Sequence, residues 1–398
     1  MLRPTLFTLL GLTIPAAAID IVIDYTYDTT NFFDTQEKRD AIEAVADFYG
    51  EIITDELAAI DPSLFPSYIW RITFADPLTG DSIVLENPSI PANTIIIYVG
   101  GKDLDGSTAG QASTGSIAYH NVESWKKHIF GRGKPGAEIT TSSLRTEYAP
   151  WGGIVMFDTI KPDSTPREWN FSLSQNQTGS EFVTIAIHEI GHVLGLGSAD
   201  SWDNLISNGV FNGPAASNSY GSAPPADYGH FGSGTNSSLF GVFSATHGQS
   251  RPAIMNSSTT DTGSNFDVIT DLDLAALVDI GWKISPPESW SINSLNPTEA
   301  SFSWNSVSFK SYQMKRSQDL VTFPAGSSVF NGNAQSQSWT DPAPLQDKAF
   351  YQFEVADLIF AQPSNLAVAR SLNNAEDENS GEIVTKPARE VNNCCAGH

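Results

Sequence analysis

Two histidines stand one helical turn apart in the run HEIGH, which begins at His188 and ends at His192, and a glutamate follows the first of them. Residues four apart in a helix project from the same face, so both imidazoles can reach one metal ion. Glu189 is displaced round the helix, where it can reach a metal-bound water without being a ligand. Catalytic zinc takes three protein ligands and leaves one position for water. The spacing therefore predicts a hydrolytic zinc site in which Glu189 is the general base.

The residues around this motif are apolar on nearly every side of a predicted helix, which we place at 180–194. A helix of that kind belongs inside a protein. Two histidines and a carboxylate within it would be buried polar groups that need partners, and a metal ion satisfies all three. This context favours a metal site over the alternative, in which two histidines simply lie one turn apart on a structural helix.

The third zinc ligand must come from another part of the chain. Ser198 stands ten residues after His188, and its neutral hydroxyl is not among the usual zinc ligands. Asp200 is chemically suitable but lies two residues further on. His230 is the favoured ligand, because the glycines on either side of its dipeptide with Phe231 permit a sharp turn directly after a long insertion. The loop would deliver this ligand from a distance.

Three other histidines are alternatives to His230. His247 is the main rival, since it also lies in a loop downstream of the motif. His120 and His128 lie upstream, in a predicted loop or helix. Each has a plain interpretation as a solvated residue, which we adopt for all three, and a carboxylate ligand or an incomplete site stays open as well.

The elements that must position these residues can be outlined from hydrophobic periodicity. They comprise strands at 19–25, 68–74, 94–99 and 152–158, a helix that opens at Asp34 with Glu37 as its capping partner, and a last helix that begins at Thr270 with Asp273 as its capping partner. Gly100 and Gly101 are predicted to end the third strand. The stretches 106–115 and 199–229 are rich in small polar residues and are predicted to be surface loops.

The composition narrows the classes of protein. The chain has 398 residues, 40% of them apolar, and a net charge of −24. This charge argues against nucleic acid or an anionic membrane as a partner, because phosphate binding depends on clustered Lys and Arg. The two cysteines, Cys394 and Cys395, are adjacent near the C-terminus, so no disulfide framework crosses the fold. We interpret them as incidental thiols in a tail.

The N-terminus has the pattern of a secretory signal peptide. A basic start is followed by an apolar run at 6–14 and by small residues that end at Ala18. The alternative is a buried N-terminal strand or helix. No later segment reaches the roughly 18 apolar residues that a membrane span needs. We therefore expect a secreted, extracellular protein with no membrane span.

The chain divides into four predicted segments. They are a signal peptide at 1–18, a catalytic domain at 19–285, an accessory domain at 286–370 and a disordered tail at 371–398. Short alternating apolar runs in the third segment predict a small all-β sandwich. The polar, charged composition of the fourth segment predicts disorder.

Several parts of the catalytic segment resemble metzincin zinc peptidases, most closely the matrixin-like secreted peptidases of bacteria. Gly195 stands three residues after the second histidine, as in that family, and Met255 in the run AIMN resembles the methionine of the Met-turn beneath the metal. The strand at 152–158 and the closing helix at 270–282 are similar to matrixin elements. Some members bring the third histidine from beyond an insertion, which adds weight to His230.

The resemblance implies an α+β fold: a catalytic domain with a twisted mixed sheet, an active-site helix and a C-terminal helix, followed here by the small all-β sandwich. It implies one catalytic Zn²⁺, held by His188, His192 and His230, with Met255 below it. Ca²⁺ is a further candidate cofactor, for which the acidic loop from Asp103 is a weak signal. No cysteine lies where a propeptide could block the zinc.

These observations predict a secreted zinc endopeptidase, acting as a monomer on protein or peptide substrates. A strand at 98–100 is the candidate edge along which an extended peptide would align. The alternative is a catalytically inactive metzincin-like binding or adhesion protein, which the serine at 198 favours and the retained Glu189 opposes. Zinc-dependent hydrolysis of a non-peptide bond is a third hypothesis.

Overall fold

The computed structural model describes thirteen stretches of the chain, and the statements below concern these residues. They are 8–9, 19–104, 106–138, 144–173, 180–240, 247–257, 269–285, 290–296, 299–318, 321–342, 350–358, 360 and 382–387. The predicted signal peptide, apart from a two-residue strand at 8–9, lies outside them, as do both cysteines. The secretion signal therefore stays a prediction.

The described residues form a mixed α/β structure. The helices are α1 Gln36–Ile52, α2 Glu123–Lys126, α3 Phe182–Val193, α4 Asp200–Leu205, α5 Pro214–Tyr220 and α6 Asp271–Asp279, and a π-helical turn, Lys127–Gly131, follows α2. The strands are β1 Thr8–Leu9, β2 Asp20–Asp24, β3 Trp70–Ala75, β4 Ser82–Glu86, β5 Thr94–Lys102, β6 Gly110–Ser113, β7 Ser116–His120, β8 Gly152–Asp158, β9 Trp169–Asn170, β10 Ser180–Glu181, β11 Ile206–Ser207, β12 Val210–Phe211, β13 Asn236–Ser238, β14 Ser250–Pro252, β15 Trp290–Asn296, β16 Glu299–Asn305, β17 Lys310–Ser317, β18 Phe330–Asn331, β19 Ser336–Thr340, β20 Phe350–Asp357 and β21 Ile383–Lys386.

The sheet beside the HEIGH motif has the strand order β2-β5-β8-β6. Its first three strands are parallel, and β6 runs antiparallel to β8 at the end of the sheet. All seven residues of β8 are buried, as expected of a parallel strand covered on both faces. The predicted strand at 152–158 is therefore confirmed in its bounds.

Three predictions about this sheet are wrong. β5 does not end at the glycine pair but continues to Lys102, and Gly101 makes room there for Phe32, whose ring would lie 2.4 Å from a Cβ atom at that position. β5 also pairs with β2 on one side and β8 on the other. Tyr98 is thus paired on both sides, while Val99 and Gly100, beyond the end of β2, pair with β8 and are buried, so this stretch is not the open edge that was predicted to align a substrate. β6, one of the two end strands of this sheet, lies within the stretch 106–115 that was predicted to be a loop.

Helices α1 and α3 are held together by buried contacts. The hydroxyl of Tyr49 in α1 donates a hydrogen bond of 2.9 Å to the carbonyl of Ile187 in α3, worth about 1 kcal/mol. The residue before α1 is Thr35, whose hydroxyl accepts from Lys38 N, so the predicted start at Asp34 is one residue early. Asp34 instead forms an i,i+4 ion pair with Lys38.

The insertion between the motif and His230 is folded, contrary to the prediction of a long surface loop. Residues 200–205 form α4, a β11–β12 hairpin follows, and 214–220 form α5. Trp202 and Phe211 are fully buried, with ring centroids 4.4 Å apart. The composition of this stretch did not predict the two buried aromatic residues, because small polar residues are far more numerous around them.

The strands of the C-terminal module form two small sheets, β15-β16-β19 and β20-β17-β18, and β1 from the N-terminal segment pairs parallel with β20 at the edge of the second. Side chains from both sheets share a core, in which Phe302 and Tyr351 have ring centroids 4.9 Å apart. The module also contacts the rest of the chain closely. Val307 and Phe309 belong to the large core that includes α3 and α6, and Ser308 N donates to the carboxylate of Asp271 at 3.0 Å.

The tail was predicted to be disordered throughout 371–398, and for residues 383–386 that prediction is wrong. They form β21, which pairs antiparallel with β7 in a second sheet of order β21-β7-β3-β4. The polar composition of the tail did not predict that the short Ile-Val-Thr run would pair with β7. The remainder of the tail lies outside the described residues, apart from Glu382 and Pro387.

None of the helices in the described stretches is both long enough and apolar enough to cross a membrane.

Candidate metal centre

Helix α3 carries the motif through the interior of the protein. All of its residues are buried, and its apolar side chains pack into the main core. The helix ends at Val193, and Gly195 follows with a φ of +103°, a backbone conformation that favours glycine. The indole of Trp282 donates to the carbonyl of Leu194 at 2.7 Å, which satisfies one of the acceptors that a helix end leaves without a partner.

The rings of His188 and His192 are oriented by backbone carbonyls. His188 Nδ1 lies 2.5 Å from the carbonyl oxygen of Ile254, and His192 Nδ1 lies 2.7 Å from that of Leu196. A carbonyl oxygen can only accept, so each Nδ1 carries the proton and each Nε2 presents a lone pair. The two Nε2 atoms are 3.0 Å apart. In this tautomer both Nε2 lone pairs can ligate one metal ion, and neither Nε2 has a proton to donate to the other.

His230 is the third member of the group. One ring nitrogen from each of His188, His192 and His230 lies within 4.8 Å of the others. Nitrogens about 2 Å from a common zinc ion in a tetrahedron are roughly 3.3 Å apart, so this set fits the ion after small adjustments. Among the described residues this is the only group of three or more potential ligands that lies close enough together to hold a metal.

The loop that delivers His230 is fixed by hydrogen bonds at both ends. The carboxylate of Asp227 accepts from Gly229 N and His230 N, each at 2.7 Å. Beyond the ligand, Phe231 N donates to Met255 O at 2.8 Å. Gly197 packs against the loop so closely that a Cβ atom there would lie 1.7 Å from Gly229 O.

The environment keeps the imidazoles in the neutral form that binds metals. Burial lowers the pKa of His188 to about 3, helped by the neighbouring His230, while its hydrogen bond to Ile254 acts in the opposite direction. Burial also lowers the pKa of His230, against the influence of Asp227. Both rings are therefore unprotonated at neutral pH.

Glu189 is fully buried beside this group. Its two carboxylate oxygens have no hydrogen-bond partner among the described residues, and burial raises its pKa well above the usual range. A buried carboxylate without a partner costs several kcal/mol unless a cation lies nearby. Gly110 of β6 packs against it, since a Cβ atom there would lie 2.7 Å from Glu189 Oε1. The donor set and the orphaned carboxylate together fit a divalent metal with a general base at its side.

Met255 lies in a buried turn beneath the metal group. Its Sδ atom is 3.2 Å from the position that a Cβ atom would take on Gly191, between the two motif histidines. Asp273 of α6 holds the turn, because its carboxylate accepts from Ile254 N at 2.9 Å and from Met255 N at 3.1 Å. Ile254 in turn orients His188 through its carbonyl.

Asp273 is the residue whose role the sequence analysis missed. Its capping box with Thr270 was predicted and is confirmed. The same carboxylate also accepts hydrogen bonds from Ile254 N and Met255 N of the methionine turn, which precede it by 19 and 18 residues. No local pattern indicates that a capping residue also holds another segment. Only the Met-containing run shortly before the helix could have suggested that Asp273 contacts it.

The remaining sequence candidates lie elsewhere. His120 Nδ1 accepts from Ile69 N and His128 Nε2 accepts from Asp61 N, both at 2.8 Å, so each has a structural role. His247 lies beside Phe240, with ring centroids 5.9 Å apart, and is not part of the metal group. Asp200 forms ion pairs with Arg145 and Lys386.

Ser198 caps the motif helix. Its hydroxyl donates to the carbonyl of His192, so its role is to satisfy a helix end rather than to bind a metal. Of the acidic loop suggested for Ca²⁺, Asp105 lies outside the described residues, and the calcium site stays a prediction.

Comparisons of this chain with protein-family models, with curated proteins and with solved structures gave no match.

Proposed function

We propose that this chain is a secreted zinc-dependent endopeptidase with a metzincin-like catalytic domain. The observation that carries the proposal is the convergence of the imidazoles of His188, His192 and His230 beside the buried carboxylate of Glu189. Three imidazole nitrogen ligands suit zinc and leave a position for water. The base stands next to that position on the same helix, which is the arrangement that hydrolysis needs.

The chain's own residues would divide the work as follows. Zinc held by the three histidines would lower the pKa of a bound water and polarise the scissile carbonyl. Glu189 accepts the proton from the attacking water and returns it to the departing amine. Its raised pKa suits a group that both takes and releases a proton. The carbonyls of Ile254 and Leu196 keep the imidazoles aimed at the metal throughout.

The structure removes one reason for preferring a catalytically inactive binding protein. That alternative was based on Ser198, which stands where a third histidine would complete the motif. Here His230 supplies the third nitrogen from beyond the insertion, and Ser198 has its own role at the helix end. These contacts support a set of three histidine ligands, and the base is retained.

Glu189→Gln tests the proposal, because it removes the base while preserving shape. We expect casein and peptide-library hydrolysis to fall by about 10²–10⁴-fold with zinc content unchanged. Glu181→Gln, at the other end of the same helix, is the matched control and should retain activity. A zinc-loaded wild type with no Glu189-dependent turnover of any peptide would contradict the peptidase and favour the binding protein.

A further inference from the structure

The C-terminal segment 382–387 lies against the body of the protein through main-chain pairing. β21 pairs antiparallel with β7 in the register Ile383↔His120 to Lys386↔Ile117. The ladder extends by one bond, because Asn121 N donates to Glu382 O at 2.8 Å. Addition of a short strand to a sheet edge is a general mode of peptide recognition, in which the backbone supplies affinity and alternate side chains supply specificity.

Alternate side chains of this strand do face the protein. Val384 is half-buried and packs against the core cluster that contains Trp70 and Tyr119, whereas Ile383 and Thr385 are exposed. Lys386 reaches Asp200 with its Nζ atom 3.2 Å from the carboxylate, and it lies 5.8 Å from the ring centroid of Phe130. The segment is thus recognised through an apolar residue and a basic residue two positions later.

Lys386 lines a formed cavity of about 290 Å³, whose other lining residues include Trp151, Arg145, Asp200 and Asp203. We call the edge of β7 together with this cavity the seat of the segment. Arg145 is fixed in it by a 2.8 Å ion pair with Asp200. The carboxylates favour a basic side chain at the wall of this cavity, and both Arg145 and Lys386 lie over the aromatic ring of Phe130.

The cavity is connected through α4 to the loop that carries His230. Asp200 is the first residue of that helix, and Trp202 in its next positions donates from its indole to Asp227 O at 3.1 Å. The carboxylate of Asp227 caps His230 N. Asp200, which Lys386 contacts, therefore lies two residues before Trp202, whose side chain holds the loop of His230.

We propose that the β7 edge and the adjoining cavity form a docking site for an extended peptide with an apolar residue followed two positions later by a basic one. Its occupant is the chain's own C-terminal segment, through Val384 and Lys386. The docked segment braces α4 and thereby the loop of His230; this bracing rests on the proposed metal centre. Few side chains hold the strand, so it can leave its seat without unfolding the domain.

Val384→Asp in the full chain tests docking, with Thr385→Asp as the matched control. The two variants add the same charge at neighbouring positions, but only Val384 faces the protein. We expect amide hydrogen exchange in 116–121 to rise by roughly tenfold in Val384→Asp and to stay at the wild-type rate in Thr385→Asp. Equal exchange in both variants and the wild type would overturn the proposal.

A labelled peptide of residues 381–388 provides the second measurement. It should bind the Val384→Asp chain saturably in fluorescence anisotropy and bind the wild type far more weakly, because the wild-type seat is filled. A peptide carrying Lys386→Glu should lose this binding. Absence of binding to the Val384→Asp chain, or equal binding to both chains, would overturn the docking site whatever the metal does.

The rate of zinc release to a chelator separates the bracing from the docking. We expect release to accelerate several-fold in Val384→Asp and not in Thr385→Asp. Faster exchange with unchanged zinc release would leave the docking site standing and refute the bracing. A chain that binds no zinc in any variant would refute the proposed function, and the exchange and peptide measurements would still decide on docking.

Discussion

His230 and His247 began as rival ligands, and the structure treats them very differently. Both are loop histidines next to a glycine, downstream of the same motif. His230 is 6% exposed and joins the metal group. His247 is half-buried near the end of the β13–β14 hairpin, with the Asp271 carboxylate and the Ser306 backbone in its surroundings.

The difference lies in what each loop is bonded to. The His230 loop joins the methionine turn through Phe231 N and Met255 O, and that turn is itself attached to α6 and to His188. The His247 loop faces the C-terminal module, where Gly248 O accepts from the side chain of Gln335. The position of each histidine is thus determined by the segments to which its loop is hydrogen-bonded. The neighbouring glycine does not indicate which histidine joins the group.

Replacing each histidine by alanine is the most direct way to break this comparison. His230→Ala removes one of three ligands, so zinc affinity should fall by more than the roughly 100-fold typical of outer-sphere partners, and peptide hydrolysis should disappear. His247→Ala should leave zinc content and activity unchanged. Zinc titration and casein hydrolysis measure both. A loss in His247→Ala alone would transfer the role to His247.

Gly197→Ala tests whether the His230 loop needs its close approach to the motif helix. An added Cβ atom would lie 1.7 Å from Gly229 O, and the φ of +67° is unfavourable for alanine. We expect a loss of more than about 3 kcal/mol in the free energy of unfolding.

Gly234→Ala is the control for Gly197→Ala. Its φ of +79° is similar, but an added Cβ atom would have nothing within 4 Å. It should cost only about 1 kcal/mol, the strain of the backbone alone. Urea unfolding of both variants gives the two values, and equal losses would show that the approach to Gly229 is unimportant.

Asp227→Ala sharpens the comparison at the loop itself. It removes the acceptor of two N–H groups, one of them on His230, and should weaken zinc binding by about 10–100-fold. Asp227→Asn retains one side-chain oxygen and should weaken it less. Competition with a chromogenic chelator measures both constants. An Ala variant with wild-type affinity would show that Phe231 and Met255 alone hold the loop.

The smallest expected effect concerns the anchor of the insertion that leads to His230. The carboxylate of Asp279 accepts from Ala215 N and Ala216 N of α5, yet burial raises its pKa to about 7. Between its unfolded pKa near 4 and about 7, the folded state binds more protons than the unfolded state. Stability from this group is therefore greatest at low pH and declines as pH rises to about 7.

Urea unfolding from pH 4 to pH 8 measures this dependence. Asp279→Asn cannot titrate and should show a flatter decline than the wild type over that range. Identical pH profiles for the two proteins would show that Asp279 does not titrate between pH 4 and pH 7.

Local patterns predicted the elements whose signals are contained in one segment. The buried strand β8, the helix α3 with its two histidines and base, and the capping box of α6 all follow from periodicity and spacing. His230 was predicted as the third zinc ligand because glycines flank it directly after a long insertion and because the metzincin resemblance implies a histidine from beyond an insertion.

Patterns failed where a distant partner determines the structure. β6 has the composition of a loop, but Gly110 is needed because Glu189 and Ile185 leave no room for a side chain. The insertion looked like surface because Trp202 and Phe211 are few among small polar residues, although their burial folds it. The strand at 383–386 forms on an edge that β7 provides.

The sequence by itself determined that two histidines and a carboxylate lie at helical spacing, and the chemistry that we propose for them requires one more ligand. Tertiary structure alone decided that His230 rather than His247 lies beside His188 and His192, and that Asp273 holds the methionine turn below them. It also decided that residues 383–386 pair with β7. The physical reason is that a helix brings its residues together by its own geometry. A loop residue is placed by hydrogen bonds to segments that no local pattern connects with it.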